Sequence, residues 1–410
     1  MAGVGSRAGS GCEEFMTSSL SSAAGKTIWV ASRFAPTYQG GLAVYSRLVI
    51  AGIQQKIPLP LHVICAAKEI DSLPTLPNYG DFPIEELRTS WIGKFSRPLW
   101  TRLASKPLLN GMLEPMLQRA WQRPQTDKPS VVHFVGTGWD YFGFAMAKLA
   151  RNYRARFVIT PAMHPGSWGS DQIDARLYRQ ADQVICFTKS EGGFLQQLGV
   201  AQEKISVSYL PPTCRSDGDR PRFWKKAGRN HQLCVLFLGR RDEGKGYPAV
   251  LKAWPAVLRA VPNAVLVLAG AAGEQYRELL TKIPAPNVLD LGLPDEITKA
   301  DAIAACDVFC LPSAHESFGI VYVDAWSYGK PVVCGTAPAC REFIADGKTG
   351  LWASQDPEEL ADKLIMLLQN QDLRRALGDA GRLEQAQNFS PDTFNRIHFA
   401  ALGLSTNCER

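Results

Sequence analysis

Apolar strand-like runs alternate with helical runs twice along this chain, on either side of Pro211-Pro212, and that alternation restricts the fold more than any other feature. The first series has strand-like runs at 27–32, 61–65, 131–135, 157–160, 183–187 and 205–209. Helices are expected through Leu42, Tyr45, Leu48 and Val49 and over 143–151. The second series begins at 233–238 and continues with a helix over 247–261 and strands at 264–269 and 288–291. A helix over 295–305 and a strand at 308–311 complete it. Strands that alternate with helices form parallel sheets covered on both faces. Between the series, 213–232 is polar, charged and bears Gly and Pro, the composition of a linker. Two doubly wound, Rossmann-like α/β domains facing one another are expected. Ligands of such sheets sit at the carboxyl ends of the strands, here in the cleft between the halves. Leu360, Leu364, Leu367 and Leu368 recur at helical spacing in the tail.

The segment His315-Glu316-Ser317-Phe318-Gly319-Ile320-Val321-Tyr322-Val323-Asp324 leads into a helix read from about Phe318 to Gly329, where Gly-Lys-Pro is a stop signal, and a new strand starts at Pro331. Gly319 allows close approach of a ligand, and free amides at a helix start favour anionic oxygens such as those of a diphosphate. Asp324 follows Glu316 by eight residues and lies on an otherwise apolar helix, where an unpartnered carboxylate would be costly. A second anchor, Leu238-Gly239-Arg240-Arg241-Asp242-Glu243-Gly244-Lys245-Gly246, follows a strand and opens a helix, placing two or three cations where phosphates would sit. It misses a P-loop by its last position, Gly246, which lacks the Ser or Thr hydroxyl needed for magnesium.

These two segments resemble the E-x7-E motif and the G-R…K-G loop of the retaining GT-B glycosyltransferases of the large family-four type (glycosyl transferases group 1), with Asp in place of the second glutamate. The resemblance covers residues 27 to 403 and implies a metal-independent glycosyltransferase with no cofactor. Its donor would be a nucleoside diphosphate sugar, UDP-sugar being favoured, and its acceptor a hydroxyl on a lipid-linked or soluble molecule. It implies that Glu316 contacts the donor sugar, Asp324 the ribose hydroxyls, and Arg240 and Lys245 the diphosphate. Gly40-Gly41 resembles the family's glycine pair near the phosphates or acceptor, and His164 stands near the place of a sugar-contacting histidine. Glu316, His164, Arg240 and Lys245 are thus the candidates for catalysis. Gly40, Gly41, Gly239, Ser317, Phe318, Gly319, Ile320 and Asp324 join Arg240, Lys245 and Glu316 around the donor. Each also has a plainer reading: Gly40-Gly41 as a tight turn, His164 as a loop histidine, the two acids as a helix cap and a bridge to a lysine. Asp324, and Pro211-Pro212 where many relatives carry Asn-Gly, keep a catalytically silent nucleotide-sugar-binding module open as the alternative.

The expected units are a leader over 1–26 and an N-terminal acceptor domain over 27–212. A nucleotide-sugar domain follows over 213–391, and a last helix over 392–410 crosses back, this crossing being implied by the resemblance alone. The leader is Ser-, Gly- and Ala-rich and lacks the basic start and apolar core of a secretory signal. No apolar run reaches the ~18 residues of a membrane span. Ten cysteines, most of them in apolar runs, read as structural thiols of a reducing cytoplasm. The net charge of +6 comes from before Pro211. There Arg88, Lys94, Arg97, Arg102, Lys106, Arg119 and Arg123 face only Glu114 and are interleaved with Trp91, Phe95, Leu99, Trp100 and Leu103. Segment 88–123 therefore suits peripheral contact with an anionic membrane face, or solvated cations over core-facing aromatics. No nucleic-acid-binding fold accompanies the charge. Asp217-Gly218-Asp219 imitates a D-x-D metal signature but lies among turn formers. Gly136-Thr137-Gly138 lacks the third glycine of a dinucleotide fingerprint.

Overall fold

A computed structural model describes residues 27–36, 40–57, 59–67, 84–86, 128–138, 141–164, 168–229, 232–273, 276, 278–279 and 287–404. The leader 1–26 and the basic segment 88–123 lie outside these residues. Seven strands form the first sheet: β1 (Ile28–Phe34), β2 (Leu61–Ala67), β3 (Ile84–Glu86), β4 (Val131–Val135), β5 (Arg156–Thr160), β6 (Gln183–Cys186) and β7 (Ile205–Val207). Six form the second: β8 (Cys234–Leu238), β9 (Val265–Ala269), β10 (Val288–Asp290), β11 (Val308–Leu311), β12 (Val332–Cys334) and β13 (Leu351–Trp352). Their orders are 3-2-1-4-5-6-7 and 10-9-8-11-12-13, and the pairings are parallel. Each order reverses direction once, between β1 and β4 and between β8 and β11, and at these reversals the helices on either side leave a crevice.

Residues of β4, β8 and β9 are buried throughout, as expected of strands covered on both faces. Helix α1 (Gly41–Lys56) follows β1, α2 (Tyr141–Tyr153) follows β4, and α3 (Gln172–Tyr178) and α4 (Lys189–Gln197) flank β6. The stretch 213–232, expected as a polar linker, contains a helix of its own, α5 (Arg220–Lys226), whose Phe223 and Trp224 are buried; then come α6 (Tyr247–Ala260), α7 (Glu296–Ala305), α8 (Ile320–Ser327), α9 (Pro338–Phe343), α10 (Pro357–Gln369), α11 (Gln371–Asn388) and α12 (Pro391–Leu402). Helix α12 lies on the first sheet, against β5, β6, β7 and α1, with Phe394, His398, Phe399 and Leu402 buried. Arg156 Nε donates to Ala401 O at 2.7 Å. The chain thus passes between the sheets twice, and at the crossing Phe318, Phe343, Phe389 and Tyr209 form one aromatic cluster.

The described cysteines are free thiols, all buried except the half-buried Cys214. His133 is a buried strand residue, with Nε2 at 2.9 Å from Thr160 Oγ1. Asp217 and Asp219 are spent locally: Asp217 pairs with Arg215, and the Asp219 side chain caps α5.

Candidate active site in the cleft

A cavity of about 840 Å³ opens between the two sheets, at the carboxyl ends of β1, β4, β8 and β11. That size suits a nucleotide-sized ligand. Ser32, Gly40, Gly41, Thr137, His164 and Trp168 belong to its first wall, and Gly239, Arg240, Lys245, Glu316, Ser317 and Gly319 to the second.

The second wall is built by two loops that brace each other. After β8 the chain turns through Gly239 to Lys245, and the Lys245 amide donates to Asp242 Oδ1 at 2.9 Å. After β11 the loop 312–319 is tied back by Ser313 Oγ, which donates to Gly244 O at 3.2 Å. Lys245 Nζ lies 2.6 Å from Glu316 Oε1, with only 12% and 10% of the two side chains exposed, and also donates to His315 O at 3.2 Å. Such a sheltered pair holds both groups in one geometry, because separating them would leave a poorly solvated charge. Arg240 extends into the opening, 73% exposed, with Asp242 at 3.5 Å as its salt-bridge partner. Its neighbour Arg241 is buried and turned away, bound to Asp290. Of the two arginines, one therefore serves the cavity.

Gly319 is the residue that starts α8 where it does. It adopts φ +85°, and a Cβ there would come within 2.6 Å of the Tyr322 ring. The helix consequently begins at Ile320 rather than at Phe318, and no side chain caps it. Gly319, Ile320 and Val321 border the cavity, so the start of the helix and the positive end of its dipole lie at it, and the Tyr322 amide is already taken by Gly319 O at 3.0 Å. The two walls also touch. Ser317 Oγ donates to Ala162 O at 3.0 Å and lies 3.1 Å from His164 Nε2. Burial pulls the His164 imidazole below its ordinary pKa, and the charge of Glu316 opposes this. The backbone that carries the imidazole is pinned by a bridge, His164 and Trp168 exchanging N–H···O bonds of 2.8 Å.

Gly40, Gly41, His164, Gly239, Arg240, Lys245, Glu316, Ser317, Phe318, Gly319 and Ile320 all line this one cavity. Asp324 does not. It is 1% exposed, and its Oδ1 accepts from the Thr213 amide at 2.6 Å and the Cys214 amide at 2.9 Å, while Thr213 Oγ1 lies 3.2 Å from Oδ2. Burial raises its pKa, and Lys299 and the two amides work against that. The partner anticipated for this carboxylate is therefore the linker. Sequence reasoning also missed Trp168, which borders the cavity at 37% exposure, because a lone Trp in a Pro- and Gly-containing loop has no periodic context. It missed Glu342 of α9 as well. That carboxylate accepts the Lys189 and Ser190 amides at 2.7 and 2.8 Å and the Tyr209 hydroxyl at 2.9 Å, clasping the start of α4 across the domain boundary.

Residues 219–384 match the family described as glycosyl transferases group 1. The C-terminal half is a glycosyl transferases group 1 domain. The fold of the whole is GT-B: HepE from Anabaena, in complex with UDP and glucose, aligns over 92% of this chain and 99% of its own at TM-score 0.68 and 18% identity. Sucrose-phosphate synthase from Thermosynechococcus elongatus aligns over 92% and 100% at TM-score 0.70 and 16% identity. By sequence, the phosphatidyl-myo-inositol mannosyltransferase of Mycobacterium leprae is 38% identical over 150 residues, 36% of this chain and 40% of that protein. A GDP-mannose-dependent alpha-(1-6)-phosphatidylinositol monomannoside mannosyltransferase of Mycobacterium tuberculosis is 27% identical over 282 residues, 61% of this chain and 71% of that protein. The match thus spans less than half the length of the M. leprae relative. Among the described residues, no helix of this GT-B chain is long and apolar enough to cross a membrane.

Proposed function

We propose that this chain is a retaining glycosyltransferase that moves a hexose from a nucleoside diphosphate sugar to an acceptor hydroxyl. The observation that carries the reading is the second wall of the cleft, where one exposed arginine, a sheltered lysine–glutamate pair and an uncapped helix start converge on an open cavity. The diphosphate lies against Arg240, Lys245 and the amides of Ile320 and Val321, fixed positive charge that strengthens as the leaving group departs. Glu316, held by Lys245, meets the sugar hydroxyls, and His164 closes the opposite side. The bond from the anomeric carbon to the diphosphate oxygen breaks, and the acceptor oxygen attacks from the same face. Attack on that face keeps the anomeric configuration, and the acceptor's proton passes to the departing phosphate.

The resemblance to the family favoured uridine. The names of the mannosyltransferase relatives instead support GDP-mannose as the donor to try first, and a lipid-borne polyol as the acceptor class. Transfer and slow donor hydrolysis are measured with GDP-mannose and UDP-glucose, alongside Lys245→Ala and Glu316→Ala. Turnover with one donor, reduced about 10²–10³-fold in each variant, is the expected result. Variants as active as the parent would overturn the assignment of the site. Donor binding without turnover would favour the silent module, which the occupied state of Asp324 supports as the second reading.

A further inference from the structure

The linker after β7 is fastened to the second domain residue by residue, and Asp324 is where the fastening begins. Pro211 and Pro212 have no amide hydrogen, so Thr213 and Cys214 carry the first backbone donors after Leu210, and both point at Asp324. Further along, the Tyr328 hydroxyl, one turn beyond Asp324, donates to Arg215 O and accepts from the Gly218 amide at 2.9 Å. Gly218 passes so close to α7 that a Cβ would lie 2.3 Å from Ala300 O. The Asp219 amide donates to Asp301 at 2.8 Å, Arg220 pairs with Asp307, and Arg222 Nε donates to Asp301 at 2.7 Å. On the other side, the Ser208 amide donates to Cys186 O of β6 at 2.8 Å. Between the two segments whose backbone is anchored lies Tyr209-Leu210-Pro211-Pro212, where Tyr209 is tied to the second domain only through its side chain, on Glu342.

The same carboxylate has no face on the cleft. It belongs to a buried residue of α8, its lone pairs meet two amides and a hydroxyl, and the Lys299 ammonium, itself paired with Glu296, offsets part of the cost of burying its charge. To reach a ribose it would have to abandon the linker and leave two buried amides unpaired, an exchange that gains nothing. We propose that Asp324 is a positioning residue which anchors the interdomain linker, confining the hinge of the cleft to 209–212 on this strand of the crossing, and that it does not bind the ribose of the donor. Helix α8 then does two jobs. Its first turn offers amides to the diphosphate and its middle holds the hinge, so a shift of α8 on donor binding is transmitted to the linker directly. The ribose clause rests on the proposed function; the anchoring clause does not.

Two measurements on the full chain test the two clauses separately. Residue-resolved hydrogen exchange of the unaltered protein should show the Thr213 and Cys214 amides protected by about tenfold or more over exposed amides, and Asp324→Ala should remove that protection, with Asp324→Asn intermediate. Unprotected amides in the unaltered protein would overturn the anchor, even if neither variant folds. Affinities for GDP, UDP and their 2′,3′-dideoxy forms are then compared in the parent and in Asp324→Asn. The dideoxy penalty should stay the same to within about twofold, because no contact to the ribose is lost. Collapse of the penalty toward one in the variant would make Asp324 a ribose ligand and refute the proposal. If neither nucleotide binds the parent protein, the donor reading and the ribose clause fail together, while hydrogen exchange still decides the anchor.

Discussion

Acidification should loosen the seat of the last helix on the first domain, through two histidines that the fold keeps uncharged. Tyr45 Oη lies 2.7 Å from Thr160 Oγ1, 2.8 Å from His398 Nε2 and 3.3 Å from His133 Nε2, and all of these groups are buried. The other nitrogen of His398, Nδ1, faces Phe394 O at 2.8 Å, so as a donor there it leaves Nε2 to accept from Tyr45. Burial pushes His133 from 6.5 to about 3, helped by the nearby His398, and His398 itself from 6.5 to about 4. Both are bases with lowered pKa values. Above pH 6.5 they are neutral in folded and unfolded chains alike and add no pH dependence. Below it the unfolded chain takes up protons that the folded one refuses, and the penalty grows until pH falls to the folded values. At pH 5 each unfolded imidazole lies about 1.5 pH units below its pKa, a penalty of about 2 kcal/mol per histidine and about 4 kcal/mol for the pair. His398→Gln keeps a polar side chain without the titration and should remove about half of the penalty. Thermal unfolding at pH 7.5 and 5.0 gives the comparison, and carboxylates that titrate in the same range cancel between parent and variant. At roughly 2–4 °C per kcal/mol, the parent should lose about 4–8 °C more than His398→Gln over this interval. Equal losses, or an imidazole NMR titration of His133 or His398 centred near 6.5, would refute the reasoning.

Gly319→Ala places a Cβ 2.6 Å from the Tyr322 ring at a positive φ, and is expected to cost about 1–3 kcal/mol of stability. Donor affinity should fall with it, since the amides of α8 move; a thermal shift by donor unchanged from the parent would contradict the helix start as the diphosphate seat. Glu342→Ala strips the cap from the first two amides of α4 and the partner from Tyr209, and is expected to cost about 1–2 kcal/mol. The same variant should raise the radius of gyration seen by X-ray scattering, and an unchanged profile would show that the clasp does not hold the cleft closed.

The architecture was legible in the sequence because two local signals agreed along most of the chain. Short runs such as Val265–Ala269, fully apolar, and Val131–Val135, apolar but for His133, read as strands covered on both faces, and helical spacing between them points to a parallel sheet. Short edge strands escaped notice, β3 with three residues and β13 with two, since their backbone is recruited by a neighbour and their side chains carry little pattern. The meeting of two loops at one cavity wall was legible too. A glycine that must turn a loop, cations after β8 and an acid after β11 are adjacent in each loop's own sequence, and strand order brings the two loops together.

What only tertiary structure decided is where each polar group finds its partner. Arg240 and Arg241 are identical in type and neighbours in sequence, yet one faces the cavity and the other is buried on Asp290, because successive residues leave a strand end in opposite directions. Asp324 sits at the spacing of a ligand-binding acid, but a partner more than a hundred residues away in sequence, brought alongside by the chain's return between the sheets, had already taken its carboxylate. Glu342 and Trp168 gave no signal for the same reason. Periodicity and turn chemistry are written into neighbouring residues and determine elements and their order. The satisfaction of a buried charge depends on whichever distant backbone the completed fold lays beside it.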